Sequence, residues 1–546
     1  MSALIAILIP LALALLLTGP SWLRVWVYRA APLASLMLLW PLIDQPELSF
    51  DWLLLGMSLK VDDASASLIL LTVTAWTLAG WQALSLVDKD QRWFWSGWLG
   101  ALSGMSLLLL AADMASFYIG YAVLSLSAYL LITQARSAAA WRAGRVYLVM
   151  ALMGEAMILA GVCLIAGYLG NTNFDALAAS PEVLFESPAR WLLLTGFAIK
   201  LGIIPLHFWL PLAHPVAPAP ASAILSGVIV KAGLLGCLRL APPLAVDPEW
   251  FGHLLLGIGL MTAFGGVLLG LGQQRIKTVL AYSTISQMGL ILTVVALQFL
   301  IPEQREWLLL VIGLMALHHG LNKSALFMGC AEAPGNSRIR LLLFALPAMS
   351  LAAAPLTTGA IAKLALKTAY TEAALGDTIL ILLSLSSAAT AALMWKVFRM
   401  ARATQGNRAL HPAWPLLVLA AMTLPWLAAS FSGLSVATNL AQLVDSAWPL
   451  LLAAVMIAVI GGTALARLWL LPEGDGIILV EAALQRFPTI EGRSISASKY
   501  TNSWRRHMGP VLRAAERQQQ RLPAAGLAML VTGGLLWGLI QWFGGG

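Results

Sequence analysis

The sequence predicts an all-α polytopic membrane protein, and two observations carry that prediction. Of the 546 residues, 60% are hydrophobic and 11% are charged, whereas a soluble domain carries about 25% charged residues. Apolar runs of about 20 residues, the length that a membrane-spanning helix needs, recur from Ala3 to Trp542 with short breaks between them. This composition excludes a soluble globular protein.

The apolar runs divide into about sixteen predicted spans. No basic residue precedes the first run and no small-residue cleavage site follows it, so it is interpreted as a spanning helix rather than a removable signal peptide. The spans cover approximately residues 2–19, 22–43, 64–84, 93–111, 114–133, 146–168, 191–210, 221–241, 251–271, 277–298, 306–330, 341–370, 378–398, 414–432, 447–471 and 523–543.

Charge alternates between the loops. Arginine follows the odd-numbered spans and acidic residues follow the even-numbered ones. Because Lys and Arg mark the cytoplasmic side, both termini are predicted on the outer (periplasmic) side of a bacterial-type inner membrane. The net charge of +8 is then attributed to a cytoplasmic rim that faces anionic lipid. The sequence contains no basic patch interleaved with aromatic residues, so nucleic acid is not predicted as a partner.

Ionisable residues occur inside the predicted spans, where a charge at the bilayer midplane costs about 2.5–3.5 kcal/mol and indicates function by default. A buried lysine can change its protonation when a carboxylate partner moves or water enters, and histidine can relay between lysines. For any single histidine, a satisfied core residue is the competing interpretation. Lys396, near a helix end, is equally compatible with a snorkelling anchor. The candidate proton-translocation residues are Glu155, Lys200, Lys231, His318, His319, Lys323, Lys363 and Lys367.

The spacing of these residues predicts a repeat. Glu155 and Lys200 are 45 positions apart, as are His318 and Lys363. Each set belongs to five spans, four to eight and nine to thirteen, and an odd number of spans inverts the second set relative to the first, as in transporters. The predicted organisation is N-terminal helices 1–92, a first half-channel repeat 93–241, a second half-channel repeat 251–400, helices 401–471, a cytoplasmic amphipathic segment 472–522 and a C-terminal membrane helix 523–546.

Helix breakers and an unusual loop complete the pattern. Pro205, together with Pro355 and Gly359 in "APLTTG", is predicted to break the seventh and twelfth spans beside the buried lysines. Broken membrane helices are tolerated where their freed backbone lines a hydrated cavity. Apolar and basic residues alternate at helical spacing in 472–522, which predicts a segment on the membrane surface or against a partner, with a solvated linker as the alternative.

No catalytic residue, cofactor or metal site is predicted. The three cysteines, Cys163, Cys237 and Cys330, lack the paired spacing of metal or iron–sulfur ligands. The stretch "GGVLLGLG" has no preceding strand and no following GK[ST], so its glycines indicate close helix packing rather than phosphate binding. Catalysis by this chain is not predicted, but membership of a proton-pumping oxidoreductase is left open.

Four motifs in order, "FAIKLGIIPLHFWLPLAHPVAPAPASAILSGVIVKAG", "QQRIKTVLAYSTISQMG", "HHGLNKSALFMG" and "PLTTGAIAKLALK", resemble the antiporter-like membrane subunits of respiratory complex I, membrane-bound hydrogenases and Mrp-type sodium/proton antiporters. The resemblance covers about residues 60–400. It implies two inverted half-channels, a hydrated axis of charged residues, and proton translocation, with sodium as an alternative coupled ion, among similar subunits. By motif it makes Lys200, Lys231, His319, Lys323 and Lys363 the ionisable residues of spans seven, eight, eleven and twelve.

The sequence also departs from that family. Ala122 follows Tyr121 where a glutamate usually pairs with the seventh-span lysine, and Glu155 is the replacement that the sequence offers. Met315 stands where many relatives carry a histidine, and the C-terminal segment is shorter than the lateral helix of one complex I subunit. Two alternatives therefore stay open: a scaffold subunit without transport, and a proton-driven partner of a hydrogenase, a quinone reductase or an inorganic-carbon uptake system.

Overall fold

Helices account for nearly all of the structure, a computed structural model that describes residues 1–461 apart from 51, 54–55, 88–90, 181, 243–248, 405, 407–408 and 432–439. The described residues fall into two units, one of residues 1–11 and 28–461 and the other of residues 12–27. The predicted segment 472–522 and the last predicted span, 523–543, lie outside the described residues.

Twenty-one α-helices, two 3₁₀ helices (Ala31–Leu38 and Pro302–Gln304), one π-helical turn and one β-hairpin are described. Strands β1 (Leu48–Phe50) and β2 (Met57–Leu59) pair antiparallel, and the π-helical turn is Leu225–Ile229. The helices are α1 Ser2–Leu16, α2 Ser21–Ala30, α3 Leu39–Asp44, α4 Asp63–Leu86, α5 Gln91–Leu110, α6 Met114–Ile132, α7 Ala138–Leu169, α8 Phe174–Ala179, α9 Val183–Glu186, α10 Ala189–Leu201, α11 Trp209–Val216, α12 Ala219–Ile224, α13 Lys231–Leu240, α14 Glu249–Leu271, α15 Ile276–Leu300, α16 Arg305–Ala331, α17 Arg338–Leu351, α18 Thr358–Glu372, α19 Asp377–Arg402, α20 Ala413–Phe431 and α21 Leu440–Gly461.

Eleven helical stretches in the described part of the chain are long and apolar enough to cross a membrane. They confirm the predicted all-α polytopic membrane fold. The predicted seventh and twelfth spans are each divided into two shorter helices, α10 with α11 and α17 with α18. The total of sixteen spans stays a prediction.

The two predicted repeats contain the same order of elements. Each has three long helices, then a broken helix, then a last helix, with the short α8 and α9 added in the first repeat. The first two helices of each repeat also cross in the same way. A Cβ atom on Gly104 of α5 would lie 2.8 Å from the carbonyl oxygen of Gly120, and one on Gly259 of α14 would lie 2.8 Å from that of Gly289. Small residues permit such close crossings. The repeat and its inversion stay predictions.

Two features were not anticipated by the apolar pattern. Helix α7 begins at Ala138, earlier than the predicted 146, because the Ser137 hydroxyl caps its first turn by accepting from Ala140 N–H at 3.1 Å. The β-hairpin is held by Asp113, which accepts 2.8 Å hydrogen bonds from the N–H groups of Ser58 and Ser116. Burial raises the pKa of Asp113 although these N–H groups oppose the shift.

A buried arginine ties three helix ends together. Arg239 near the end of α13 donates two 2.8 Å hydrogen bonds to the Asp62 carboxylate, and donates to the carbonyl oxygens of Leu108 and Leu109 at 2.8 and 2.9 Å. Burial would raise the pKa of Asp62, but the Arg239 charge and the hydrogen bonds of Arg239 and Ser65 hold it below its ordinary value. This Arg239 clamp joins α13 to the start of α4 and the end of α5.

Candidate functional site

Lys200 lies at the end of α10, beside the first helix break. The helix ends at Gly202, whose φ of 73° is a left-handed conformation that suits glycine. The break, residues 202–208, includes Pro205. The Trp209 indole N–H donates a 2.7 Å hydrogen bond back to the carbonyl oxygen of Ile199. The broken end of α10 is therefore satisfied inside the protein.

Glu155 reaches the same region from α7, because α7 and α10 cross at two glycines. A Cβ atom on Gly154 would lie 3.2 Å from the carbonyl oxygen of Gly196, and one on Gly196 would lie 2.7 Å from that of Gly154. Glu155 is buried within electrostatic reach of Lys200. Its Oε1 atom has no hydrogen-bond partner among the described residues.

Polar and aromatic groups surround the Lys200 ammonium. Nζ donates to Ser125 Oγ at 2.6 Å and to the Tyr147 hydroxyl at 3.3 Å. The same Nζ lies 5.2 Å from the ring centroid of Tyr121 and 5.6 Å from that of Tyr147, at cation–π distance. The Lys200 ammonium is thus held by a serine hydroxyl and a tyrosine hydroxyl and lies against two aromatic rings.

A second buried lysine follows the π-helical turn. Lys231 Nζ donates to the carbonyl oxygen of Ser226, within that turn, at 3.0 Å, and lies 2.8 Å from His319 Nδ1. The turn contacts α16 through two glycines, since a Cβ atom on Gly320 would lie 2.6 Å from the carbonyl oxygen of Gly227. Lys231 is 0% exposed and His319 is 1% exposed. Rare π-helical turns are frequent at functional sites, and this one brings an amine and an imidazole into contact.

Lys323, on α16, completes the central group. Its Nζ donates to the carbonyl oxygen of Leu280 on α15 at 2.9 Å. The Thr284 hydroxyl donates to the same oxygen at 3.2 Å, and its Oγ1 lies 2.6 Å from Ser226 Oγ. These residues form a group termed the central polar line: His319, Lys231, Ser226, Thr284, the Leu280 carbonyl and Lys323. Lys231 contacts the carbonyl oxygen of Ser226, whereas Thr284 contacts its hydroxyl.

The second helix break, residues 352–357, contains Pro355 and lies between α17 and α18. The N–H of Gly359 donates to Ser350 Oγ at 3.2 Å. A Cβ atom at position 359 would collide with the Ser350 carbonyl oxygen. Only glycine fits this approach of α18 to the end of α17.

His318 faces the start of α18. Its Nδ1 lies 3.1 Å from Thr358 Oγ1 and 3.1 Å from Asn322 Nδ2. Thr358 Oγ1 also lies 2.8 Å from Ser350 Oγ and donates to the carbonyl oxygen of Ala421 at 3.0 Å. His318 is thereby tied to the second break by a hydroxyl network.

Lys363 lines a cavity of about 40 Å³, measured as the space open to the centres of water molecules, together with His318, Met315, Gln287 and Thr390. One water needs about 10–15 Å³ by this measure, so the cavity can hold water between Lys363 and His318. The corresponding cavity at Lys200 is about 10 Å³. The cavity at the second break therefore has room for more water than the cavity at the first.

The structure brings seven of the eight predicted residues into three groups. Lys367 stands apart: it is half-buried, one turn beyond Lys363, and is not among the residues that line the described cavity. The groups are Glu155 with Lys200; Lys231, His319 and Lys323; and His318 with Lys363.

Sequence reasoning missed the hydroxyl and phenol groups that link these residues. Ser and Thr in apolar spans do hydrogen-bond across helices, but many satisfy their own backbone instead, as Thr72 does by donating to Leu68 O at 2.7 Å. The sequence gives no signal that separates the two cases. The missed residues are Ser125, Tyr147, Ser226, Thr284 and Thr358.

Within the described ranges, no three His, Cys, Asp or Glu residues are grouped to hold a metal ion. Cys163, Cys237 and Cys330 are free thiols. The chemistry that the described groups offer is proton exchange among amines, imidazoles, a carboxyl group and hydroxyls.

Known proteins match this chain over its central part. The family model described as "NADH:quinone oxidoreductase/Mrp antiporter, TM" matches residues 111–390. Hydrogenase-4 component B of Escherichia coli (strain K12) is 36% identical over 239 residues, which are 42% of this chain and 35% of that protein. The chain spans about a third to a half of the length of the curated relatives it matches.

Two solved structures have the same fold. The Mrp complex from Dietzia sp. DQ12-45-1b matches with a TM-score of 0.71 at 19% identity, over 96% of this chain and 62% of that one. The archaeal membrane-bound sulfane sulfur reductase matches with a TM-score of 0.68 at 19% identity, over 84% of this chain and 99% of that one.

Proposed function

Because the chain belongs to the NADH:quinone oxidoreductase/Mrp antiporter family, whose model matches more than half of it, we propose that it is a proton-translocating membrane subunit of a multisubunit complex. Exchange of sodium for protons is a variant of this proposal. The observation that carries it is the 2.8 Å contact between Lys231 and His319, two titratable groups buried from solvent. The residues along which protons move are Glu155, Lys200, Lys231, His318, His319, Lys323 and Lys363.

The Lys231–His319 contact suits proton transfer. A separation of 2.8 Å between two nitrogen atoms is the geometry in which a proton passes directly from one to the other. Burying both groups only as structural elements would cost free energy without a compensating carboxylate. The line needs water or side-chain movement at Ser226 and at Leu280, because the carbonyl oxygens that accept from Lys231 and from Lys323 have no proton to pass on.

The proposal includes other membrane subunits as partners. The similar proteins support it, since one is a component of a hydrogenase and another is part of an Mrp complex. The arginine-rich loops support an orientation with both termini on the outer side of a bacterial-type inner membrane.

Ala122 favours a second candidate, a scaffold subunit without transport. It is half-buried on α6, three residues before Ser125, and supplies no acid to Lys200. A further candidate is the proton-driven partner of an enzyme, which the name of the hydrogenase component supports. Purifying the intact complex and identifying its other subunits separates the enzyme partner from an antiporter.

The test is proton transport in membrane vesicles that contain the intact complex, followed with a pH-sensitive dye. We expect Lys200→Ala and Lys363→Ala each to assemble normally and to lower the initial rate at least about a hundredfold, because each removes a group that accepts the proton. Two variants that assemble and transport at the wild-type rate would refute the proposal and favour the scaffold.

Lys396→Ala is the matched control. Lys396 lies on α19 within the second predicted repeat, but it is only half-buried and donates to the carbonyl oxygen of Leu271 at 2.6 Å. We expect this substitution to leave the transport rate unchanged. That result would show that the slower transport of the other two variants comes from loss of a proton carrier and not from loss of just any lysine.

A further inference from the structure

We propose that Tyr121 and Tyr147 are positioning residues, which hold the Lys200 ammonium in its charged form by presenting their rings to it. This inference rests on the proposed function, because it concerns the lysine that accepts the proton in the first predicted repeat. It assigns to two aromatic rings a task that a bonded carboxylate commonly performs for a buried cation.

The contacts of the ammonium are of two kinds. Nζ has three N–H groups, and it donates to Ser125 Oγ at 2.6 Å and to the Tyr147 hydroxyl at 3.3 Å. It also lies over two rings, 5.2 Å from the centroid of Tyr121 and 5.6 Å from that of Tyr147. Both distances are within the limit of about 6 Å at which a ring attracts a cation. The rings therefore add an attraction that two neutral hydroxyls do not supply.

No carboxylate is bonded to this ammonium within the described ranges. Glu155 is buried within electrostatic reach of Lys200, but its Oε1 atom has no hydrogen-bond partner there. Ala122, the residue after Tyr121, carries no acid. A buried charge without a bonded counter-ion is costly, and the face of an aromatic ring is negative. The two rings thus supply part of the compensation that the charge needs.

Other aromatic side chains hold both rings in place. Tyr121, on α6, packs against Phe117 and Phe197, with ring centroids 6.3 and 6.0 Å apart. Tyr147, on α7, packs against Trp209 with ring centroids 5.3 Å apart. Rings that are fixed in this way are already aligned with the cation and need no reorganisation when the lysine takes up its proton.

Little else at this site competes with the rings. Of the charged groups on the helices packed against α10, Glu155 is the one that acts on Lys200 in the part of the chain that the structure describes. Helix α13 approaches through Gly233, where an added Cβ atom would lie 3.2 Å from Lys200 Cβ. The cavity beside the ammonium, about 10 Å³, is at the lower limit for one water molecule. A change in the rings should therefore be felt directly by the amine.

The central lysines are held by other groups. Lys231 donates to the carbonyl oxygen of Ser226 at 3.0 Å and lies 2.8 Å from His319 Nδ1. Lys323 donates to the carbonyl oxygen of Leu280 at 2.9 Å. Carbonyl oxygens and an imidazole take the place of the rings there, so the effect of altering a ring is expected at the first lysine site.

The first test weakens the face of one ring while keeping its shape. Tyr121→Phe, which keeps the ring, is the reference, and a trifluorinated phenylalanine in place of Tyr121 is the variant, because fluorine withdraws electron density from the ring face. With a weaker face, Lys200 should lose its proton at lower pH. We expect the alkaline limb of the pH–rate profile of proton transport in vesicles to move about one unit lower. An unchanged limb would overturn the proposal.

The second test does not depend on transport. The unfolding temperature in detergent is compared for the same two ring variants, each with Lys200 present and with Lys200→Leu. We expect the fluorinated ring to lower the unfolding temperature by about 1–2 °C when the lysine is present and to have no effect when leucine replaces it. The same fall in both backgrounds would mean that the rings only pack, which would also overturn the proposal.

Failure of this proposal can be told from failure of the proposed function. Loss of transport in Lys200→Ala, without any coupling between the ring and the lysine, would overturn the role of the rings and leave the proposed function standing. Transport at the wild-type rate in Lys200→Ala would instead count against the proposed function itself.

Discussion

Lys200 and Lys363 both lie beside a broken helix, but the two sites differ in what surrounds the amine. Lys200 ends α10, at the carbonyl end of a helix, where a cation is favoured. Lys363 lies in the second turn of α18, past the break, beside a cavity of about 40 Å³ rather than about 10 Å³. The first site is built from direct contacts with Ser125 and two tyrosine rings, and the second from space that water can occupy.

Equal spacing in the sequence therefore does not produce equal sites. Counted from the prolines, Lys200 precedes Pro205 whereas Lys363 follows Pro355. The position before Pro355 that matches Lys200 is occupied by Ser350, whose Oγ binds Thr358 and the Gly359 N–H. The 45-residue interval therefore does not correspond to a shared set of contacts.

The largest effect is expected at the second break. Gly359→Ala would place a methyl group on the Ser350 carbonyl oxygen, so we expect a loss of about 3 kcal/mol, the upper end of overpacking costs. At the first break, the added Cβ atom of Gly202→Ala would lie no closer than 3.6 Å to any atom. The expected loss of stability is therefore only the cost of a left-handed backbone at alanine, about 1–2 kcal/mol. Thermal unfolding of the purified variants in detergent compares them. Equal losses would show that the two breaks are packed alike.

The next effect concerns the hydroxyl network. Thr358→Val removes the contacts to His318, Ser350 and Ala421 in a buried place, and leaving such groups unsatisfied costs about 1–3 kcal/mol. Thr358→Ser keeps the hydroxyl and is the control. We expect the valine variant to lower the unfolding temperature and the serine variant to restore most of it. A valine variant as stable as wild type would mean that water replaces the hydroxyl.

The smallest effect is a pH dependence in the Arg239 clamp, which belongs to the first repeat. The pKa of Asp62 lies below its ordinary value of 3.8, so its carboxylate stabilises the fold above about pH 4 and this contribution disappears as the pH falls. The effect is small because the Asp62 side chain is 38% exposed. The slope of the unfolding temperature below pH 4 should flatten in Asp62→Asn and stay unchanged in Thr358→Val. An unchanged slope in Asp62→Asn would contradict this assignment.

The sequence predicted the features that depend only on a residue's place in an apolar run. Lys200, Lys231 and Lys363 stand out because an ammonium within an apolar run is costly wherever the run folds. The helix breaks followed from proline and glycine, and the membrane fold followed from composition. These features depend on residues close together in the chain, so the sequence carries them directly.

Contacts between distant segments were not predictable in the same way. The pairing of Lys231 with His319 depends on a π-helical turn and on the crossing of Gly227 with Gly320, neither of which has an apolar periodicity of its own. The hydrogen bond from Lys200 to Ser125 depends on where α6 meets α10. The early start of α7 was missed because its first turns extend beyond the apolar run that defined the prediction.

The crossing of Gly227 with Gly320 has a mechanical consequence. It joins the π-helical turn, in the first predicted repeat, to the long helix α16, in the second, through main-chain atoms, with no side chain between them to absorb movement. Tightly packed contacts of this kind shift as a unit rather than deform gradually. A displacement of the π-helical turn by a fraction of an ångström must therefore be felt by α16, so that the two halves cannot rearrange independently at this joint.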